Sequence, residues 1–174
     1  MSAASIERQF LDHSIDTLKM FATRIETCLG MLNDDQIWAR GNENENAIGN
    51  LVLHLCGNVR QWIISNIGGQ PDLRQRDGEF STRGGLSTAD LLERLRSTVA
   101  EAVALIDGVT TQRLLERTEI QGYDVSGLEA IYHVVEHFTL HAGQIIFATK
   151  MLTGTDLGFY RHLSTAAAQG QKTP

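Results

Sequence analysis

The stretch SGLEAIYHVVEHFTLHAGQIIFATKML, residues 126–152, indicates most clearly how this chain folds. Its apolar residues recur at steps of three and four, as they do on one face of an α-helix. Ser126 and Glu129 form a capping box, in which each side chain can accept a hydrogen bond from a free backbone N–H at the start of a helix. Gly154 favours a helix end. The stretch therefore predicts one long amphipathic helix from about Ser126 to Leu152.

Three earlier stretches carry the same periodicity, and no segment shows the sustained alternation of a half-buried strand. The predicted helices run over Ser5–Leu29, Asn46–Ile67 and Ser87–Gly108. Four long helices joined by shorter connections can bury their apolar faces together in an antiparallel bundle. The sequence thus predicts an all-α fold, an antiparallel four-helix bundle, as one domain over residues 1–163 with a flexible tail at 164–174.

The connection from Gly68 to Gly85 contains Gly, Asp, Arg and Pro but little periodicity. A connection of this length in a compact domain is often functional, so we expect it to cover a site. Its arginines, Arg74, Arg76 and Arg83, are interrupted by acidic residues and are interpreted as solvated charges. Recognition of a carboxylate by these arginines or by Arg60 is the alternative.

Length and charge narrow the possible partners and the location. The chain has 174 residues, as expected for one domain, and a formal net charge of -6. This charge disfavours phosphate backbones and anionic lipid, which bind through clustered basic residues. The apolar runs are interrupted well before the roughly 20 residues that cross a membrane, and the start of the chain shows no export signal. We therefore expect a cytoplasmic protein that binds neither nucleic acid nor membrane.

The six histidines carry the chemistry that the sequence suggests. His133, His137 and His141 recur every four residues, so each adjacent pair shares a helix face and can reach one ion. Spacing alone permits either pair, and a satisfied core or solvated role is the alternative for both. His54 interrupts a leucine-rich run on the second helix and is the natural third ligand. His13 lies in no such setting and is interpreted, like the histidine at 162, as a surface residue.

Three imidazoles leave at least one coordination position of an ion for water or substrate, as in catalytic rather than structural zinc sites. Iron, nickel and cobalt also accept imidazole ligands. Zinc would lower the pKa of a coordinated water to about 7 and would deprotonate a coordinated thiol. Asn58 and Gln144 lie on the faces from which they could orient the ligands, whereas Cys56 and Glu136 point away from the site. Cys56 is expected to be a buried, reduced thiol, as is Cys28.

Two stretches resemble the DinB-like superfamily of metal-binding four-helix proteins. They are IGNLVLHL with GNVRQW, at residues 48–55 and 57–62, and HFTLHAGQI at residues 137–145. The resemblance implies that His54, His137 and His141 bind one divalent metal ion, commonly zinc or nickel, with iron or cobalt as alternatives. It leaves His133 outside this triad, as a pocket neighbour or a satisfied core residue.

The resemblance also implies candidate activities and partners. Similar proteins include enzymes that transfer low-molecular-weight thiols such as bacillithiol, and many of them are homodimers. The first hypothesis is therefore a metal-dependent thiol S-transferase, or a related hydrolase, that acts on a small electrophilic substrate. The alternative is a non-enzymatic, dimeric, stress-related or binding protein with a structural or vestigial metal site.

Overall fold

The structure, a computed structural model, describes residues 5–163, so the tail predicted at 164–174 lies outside the described residues. The elements in chain order are α1 (Ile6–Leu29), α2 (Asp34–Trp38), α3 (Ile48–Val59), a π-helical segment (Arg60–Ile67), α4 (Arg76–Ser81), α5 (Thr88–Asp107), α6 (Thr111–Leu115), β1 (Arg117–Ile120), β2 (Tyr123–Ser126) and α7 (Gly127–Thr153). The four long helices are α1, α3 with the π segment, α5 and α7. The prediction of an all-α bundle is confirmed.

The caps explain where the long helices begin and end. The side chains of Ser5, Ser87 and Ser126 each accept from a backbone N–H in the first turn of α1, α5 and α7. The predicted capping box of Ser126 and Glu129 is present. At the other end of α7, Gly154 adopts the left-handed conformation with φ 64°, which glycine tolerates better than other residues.

Helix α1 packs against α5 and α7, and α3 packs against the same two helices. Arg8 near the start of α1 forms an ion pair with Asp107 at the end of α5, so these two helices are antiparallel. Cys28 near the end of α1 contacts Thr149 near the end of α7, so that pair runs parallel. Helices α1 and α3, although consecutive long helices, therefore lie diagonally opposite each other in the bundle.

Helices α3 and α7 are antiparallel, and the predicted site lies between them. His54 contacts His137, and Asn58 one turn later contacts His133 one turn earlier. Because α7 runs parallel to α1 and α1 runs antiparallel to α5, α3 and α5 run parallel. The predicted antiparallel packing thus describes two of the four neighbouring pairs.

A two-stranded antiparallel hairpin precedes α7, where the sequence indicated no strand. Strands β1 and β2 pair from Arg117 with Ser126 to Ile120 with Tyr123. Both turn residues, Gln121 and Gly122, have positive φ, 55° and 81°, as in the tight turns that match the twist of a hairpin. Strands of four residues are too short to show a clear alternation, which is why the sequence did not reveal them.

The described part of the chain has one apolar core, to which all four long helices contribute. Among residues 5–163, none of the helices is both long enough and apolar enough to span a membrane.

Candidate metal centre

Helices α3 and α7 bring together the three histidines of the predicted site. His54, His137 and His141 each offer an imidazole nitrogen, and these nitrogens lie within 4.8 Å of one another. The Nε2 atoms of His54 and His137 are 3.0 Å apart. Zinc bound tetrahedrally at about 2.0–2.1 Å separates its ligand nitrogens by roughly 3.3 Å. Three histidines at this spacing can bind a divalent metal ion.

His54 is oriented by an acidic residue from the long connection. The residue is 5% exposed, and its Nδ1 lies 2.8 Å from Oε2 of Glu79 on α4. Since an ionised carboxylate only accepts hydrogen bonds, Nδ1 carries the proton and donates a hydrogen bond to Glu79. Nε2 of His54 is then left with a free lone pair directed at His137, which is the tautomer that a metal ligand requires.

Glu79 is itself fixed by Arg74. The guanidinium donates from Nε to Oε1 at 2.7 Å and from Nη2 to Oε2 at 2.9 Å. Burial alone would raise the pKa of Glu79, but Arg74 and His54 outweigh burial and hold that pKa below its usual value. Glu79 is therefore a carboxylate at neutral pH. The side chain of Arg74 is only 4% exposed, so the prediction that Arg74 is a solvated charge was wrong.

Glu79 and Arg74 pack directly against α3 because residue 57 is a glycine. A Cβ atom at Gly57 would lie within van der Waals overlap of the carboxylate of Glu79, only 1.9 Å from Oε1. Arg74 also donates from Nη1 to Oε1 of Gln61 at 2.9 Å, which ties the connection to the π segment. The predicted cover of the site is thus a packed structure that includes α4.

His141 is oriented within its own helix. Its Nδ1 lies 2.7 Å from Oε1 of Gln144, one turn further along α7. Burial lowers the pKa of His141, and the hydrogen bond to Gln144 opposes burial only in part. With Nδ1 donating to Gln144, the Nε2 lone pair is free. Gln144 therefore contacts His141, a candidate ligand, as its spacing on the helix predicted.

His137 has a strongly lowered pKa and lies between the other imidazoles of the cluster. Burial is the main cause that lowers its pKa to about 3, and the neighbouring imidazoles and Arg74 lower it further. The ring is therefore neutral at physiological pH. Its Nδ1 is buried without a hydrogen-bond partner among the described residues, and its Nε2 faces the lone pair of His54. A cation would accept the Nε2 lone pairs of both His54 and His137. The three imidazoles therefore fit a metal ion better than they fit a network of hydrogen bonds alone.

His133 lies beside the cluster and has other partners. Its ring centroid is 4.0 Å from that of Trp62 on the π segment and 5.6 Å from that of His137. Asn58, which we expected to orient a ligand, instead has its Nδ2 3.4 Å from Nε2 of His133. Burial lowers the pKa of His133, so this ring also favours the neutral form.

The remaining residues considered from the sequence lie where they were expected. Cys56 is buried, and burial raises the pKa of its thiol to about 12, so it stays protonated at neutral pH. His13, Glu136 and His162 are exposed.

Glu79 and Phe80 are the site residues that the sequence did not reveal. Glu79 holds Nδ1 of His54, and the Phe80 ring centroid lies 4.6 Å from that of His54. Both residues come from a short helix inside a stretch without periodicity. An acidic residue in such a stretch is usually solvated, and only the fold brings this one to His54.

Comparisons with known proteins agree with this fold. The sequence profile of a family described as "Protein of unknown function (DUF1572)" matches residues 5–168. No curated protein matches the chain in sequence.

Solved structures resemble the chain over most of its length. A conserved protein from Enterococcus faecalis has a TM-score of 0.72 at 14% identity, covering 88% of this chain and 100% of that one. A DinB-like protein from Bacillus subtilis, YjoA, has a TM-score of 0.65 at 16% identity, covering 85% of this chain and 97% of that one. A DinB-like protein from Bacillus cereus has a TM-score of 0.65 at 13% identity, covering 84% and 94%. The fold is therefore DinB-like.

Proposed function

This chain belongs to the DUF1572 family, and from that premise we propose that it binds one divalent metal ion through His54, His137 and His141. The observation that supports this proposal is the convergence of three imidazole nitrogens within 4.8 Å. Glu79 and Gln144 support it further, because each fixes the ring of one ligand through Nδ1. Such outer partners are typical of histidines that bind metals.

The chemistry of the donors favours a transition metal, and we propose zinc or nickel, with iron or cobalt as alternatives. Calcium and magnesium prefer oxygen ligands, whereas neutral imidazole suits zinc, nickel, iron and cobalt. No carboxylate or thiolate belongs to the three-histidine group. Glu79 would not be a ligand of the ion in this arrangement, because its carboxylate is engaged by Arg74 and His54.

The function that we propose is a metal-dependent transfer of a low-molecular-weight thiol to a small electrophilic substrate. Three protein ligands are the usual number in catalytic zinc sites, whereas structural sites have four. When bound, the ion supplies Lewis acidity that favours the ionised form of a thiol. The chain contributes the neutral ligands, and Glu79 and Gln144 keep two of them in the tautomer that presents Nε2 to the ion.

The second candidate is a non-enzymatic, homodimeric, stress-related or binding protein in which the ion is structural or the site vestigial. A stripe on the solvent face of α7 favours the dimer. Its members, which are 59% to 71% exposed, are Tyr132, Leu140, Phe147 and Met151. Their spacing places them along one side of the helix, where a second copy could cover them. A cytoplasmic location without nucleic-acid or membrane partners also stays a prediction from the sequence.

Metal content tests the first proposal. We expect untagged protein, incubated with zinc or nickel and then desalted, to retain about one ion per chain. Replacing His54, His137 or His141 by Ala should abolish this retention. His133→Ala is the matched control from the same helix face and should leave the metal content unchanged.

The results would separate the two functions. A wild-type protein that retains no metal would refute the site. Unfolding of the whole bundle on chelation would favour a structural ion, because a site that contributes folding energy is lost together with the fold. Retained structure after chelation, with thiol-dependent turnover of a model electrophile only in the loaded protein, would support the transferase.

A further inference from the structure

Arg76 lies on α4, one turn before Phe80, at the outer end of a stack that begins at the metal site. The ring centroids of His54 and Phe80 are 4.6 Å apart, and the Arg76 guanidinium carbon lies 5.0 Å from the centroid of Phe80. These two steps bring the guanidinium to within about 10 Å of the His54 ring, with one aromatic side chain between them. The stack runs from the buried imidazole of His54 to the exposed guanidinium of Arg76.

Arg76 differs from the other arginines around the site in having its donors free. Arg74 is saturated by Glu79 and Gln61, and Arg40 and Arg83 donate to backbone carbonyls at the end of α4. Arg76 forms no hydrogen bond and no ion pair with any of residues 5–163, and its guanidinium lies over the face of Phe80. Five N–H donors in a planar fork suit a carboxylate, which can accept two of them at once.

The charge balance of the site also favours an anionic ligand. The three histidines are neutral ligands when they hold an ion, and the Glu79 carboxylate is matched by Arg74. A divalent charge would therefore remain without an anionic protein ligand. Arg76 adds a further positive charge on the Phe80 side of His54, so a ligand with two anionic ends is attracted at both.

We propose that Arg76 anchors the carboxylate of the small molecule that uses the metal site, and that this molecule is a thiol bearing a carboxylate. This inference rests on the proposed function, because the thiol end requires the ion at His54, His137 and His141. The Phe80 ring separates the two ends and packs against the carbon chain of the ligand. The chemistry selects an acidic thiol over a neutral one of the same size.

Two probes that differ only in charge test the anchor. We would load the protein with cobalt(II) and titrate it with 3-mercaptopropionate and with its neutral amide, 3-mercaptopropionamide, following the sulfur-to-cobalt charge-transfer absorption. Cobalt content is measured again after each titration, so that removal of the metal by the thiol is recognised. The ratio of the two affinities is compared among wild type, Arg76→Gln, Arg76→Lys and Arg60→Gln. Small differences in thiol acidity cancel in this comparison.

We expect the affinity ratio in favour of the carboxylate to fall about tenfold in Arg76→Gln and to be partly restored in Arg76→Lys, because Lys keeps the charge but not the fork. Arg60→Gln should behave as wild type, since Arg60 is exposed and pairs with Glu101 on α5. An unchanged ratio in Arg76→Gln, with normal cobalt binding, would overturn the anchor and leave the proposed function standing. Cobalt-loaded protein that responds to neither thiol would also overturn the anchor. Failure to bind cobalt would remove the function and the anchor together.

Discussion

At the scale of single residues, Glu79 determines which ring nitrogen of His54 carries the proton. An imidazole can place its proton on either nitrogen, and only one choice leaves Nε2 free for a metal. The carboxylate of Glu79 accepts a hydrogen bond from Nδ1 of His54 at 2.8 Å, which leaves Nε2 unprotonated. Arg74 keeps this carboxylate ionised. Because all three groups are buried, each depends on the others, and a change at Glu79 affects both the metal site and the fold.

Replacing Glu79 with Gln should weaken zinc binding by about 10- to 100-fold, because the neutral amide holds the tautomer of His54 less firmly. The same change leaves the buried Arg74 without a counter-charge, so the free energy of unfolding should fall by about 3 kcal/mol. Competition with a chromophoric chelator measures the affinity, and urea denaturation measures the stability.

A double variant separates the two effects of Glu79→Gln. Adding Arg74→Gln removes the unpaired charge and should recover part of the stability without recovering zinc affinity. Glu136→Gln on α7 is exposed and should change neither quantity. If Glu79→Gln binds zinc as tightly as wild type, the carboxylate has no role at the site.

At the scale of secondary-structure elements, the contact between α3 and α4 forms the site's wall. Asn50, one turn before His54, is fully buried and donates from Nδ2 to the backbone carbonyls of Glu79 at 2.8 Å and Thr82 at 2.9 Å. Gly57, one turn after His54, leaves room for the Glu79 side chain. Asn50 thus holds the backbone at the end of α4, and Gly57 allows the carboxylate of Glu79 to pack against α3.

Gly57→Ala should destabilise the metal-free protein, although Ala is the better helix former. The added methyl group would lie 1.9 Å from Oε1 of Glu79, and the hydrogen bonds from Arg74 prevent the carboxylate from moving away. We expect a loss of about 1–3 kcal/mol in urea denaturation, together with weaker zinc binding.

Gly143→Ala is the matched control for the α3–α4 contact. Nothing lies within 4 Å of a Cβ atom at Gly143 on α7, so this change should stabilise the protein by about 0.5–1 kcal/mol. Equal stability changes in Gly57→Ala and Gly143→Ala would show that the contact with Glu79 contributes nothing.

At the scale of the whole molecule, α7 has two faces with different uses. The face toward α3 carries the histidines, and the solvent face carries the apolar stripe of Tyr132, Leu140, Phe147 and Met151. An exposed stripe of this kind is typical of an interaction surface. If two copies pair through α7, the dimer forms beside the metal sites without using their ligands.

We expect the wild-type protein to be a dimer by light scattering coupled to gel filtration, and Leu140→Glu with Phe147→Glu to be a monomer with unchanged zinc content. Introducing two charges into a dimer contact would leave them buried and unpaired. Leu115→Glu, at an equally exposed apolar position on α6, should stay dimeric. A wild-type protein that is monomeric at all concentrations measured would refute the dimer.

The positions of the four long helices and most of the candidate ligand set could be predicted from the sequence. Apolar periodicity and serine caps are local properties of neighbouring residues, so the four long helices could be predicted to within about two residues at their ends. The four-residue spacing on α7 placed the histidines on one side of the helix, and resemblance to the DinB-like superfamily selected His137 and His141. The place of Gln144 also followed from spacing within one helix.

The contacts with residues from distant parts of the chain depend on tertiary packing and could not be predicted. Glu79 and Arg74 lie in a stretch without periodicity, and a charged residue there is solvated unless the fold buries it against an opposite charge. The directions of the helices depend on how the connections cross the bundle, which no pattern within a helix encodes. For the same reason, Asn58 contacts His133 rather than one of the three candidate ligands. Local spacing fixes which face a side chain occupies, whereas the packing of α3 against α4 and α7 fixes what that face meets.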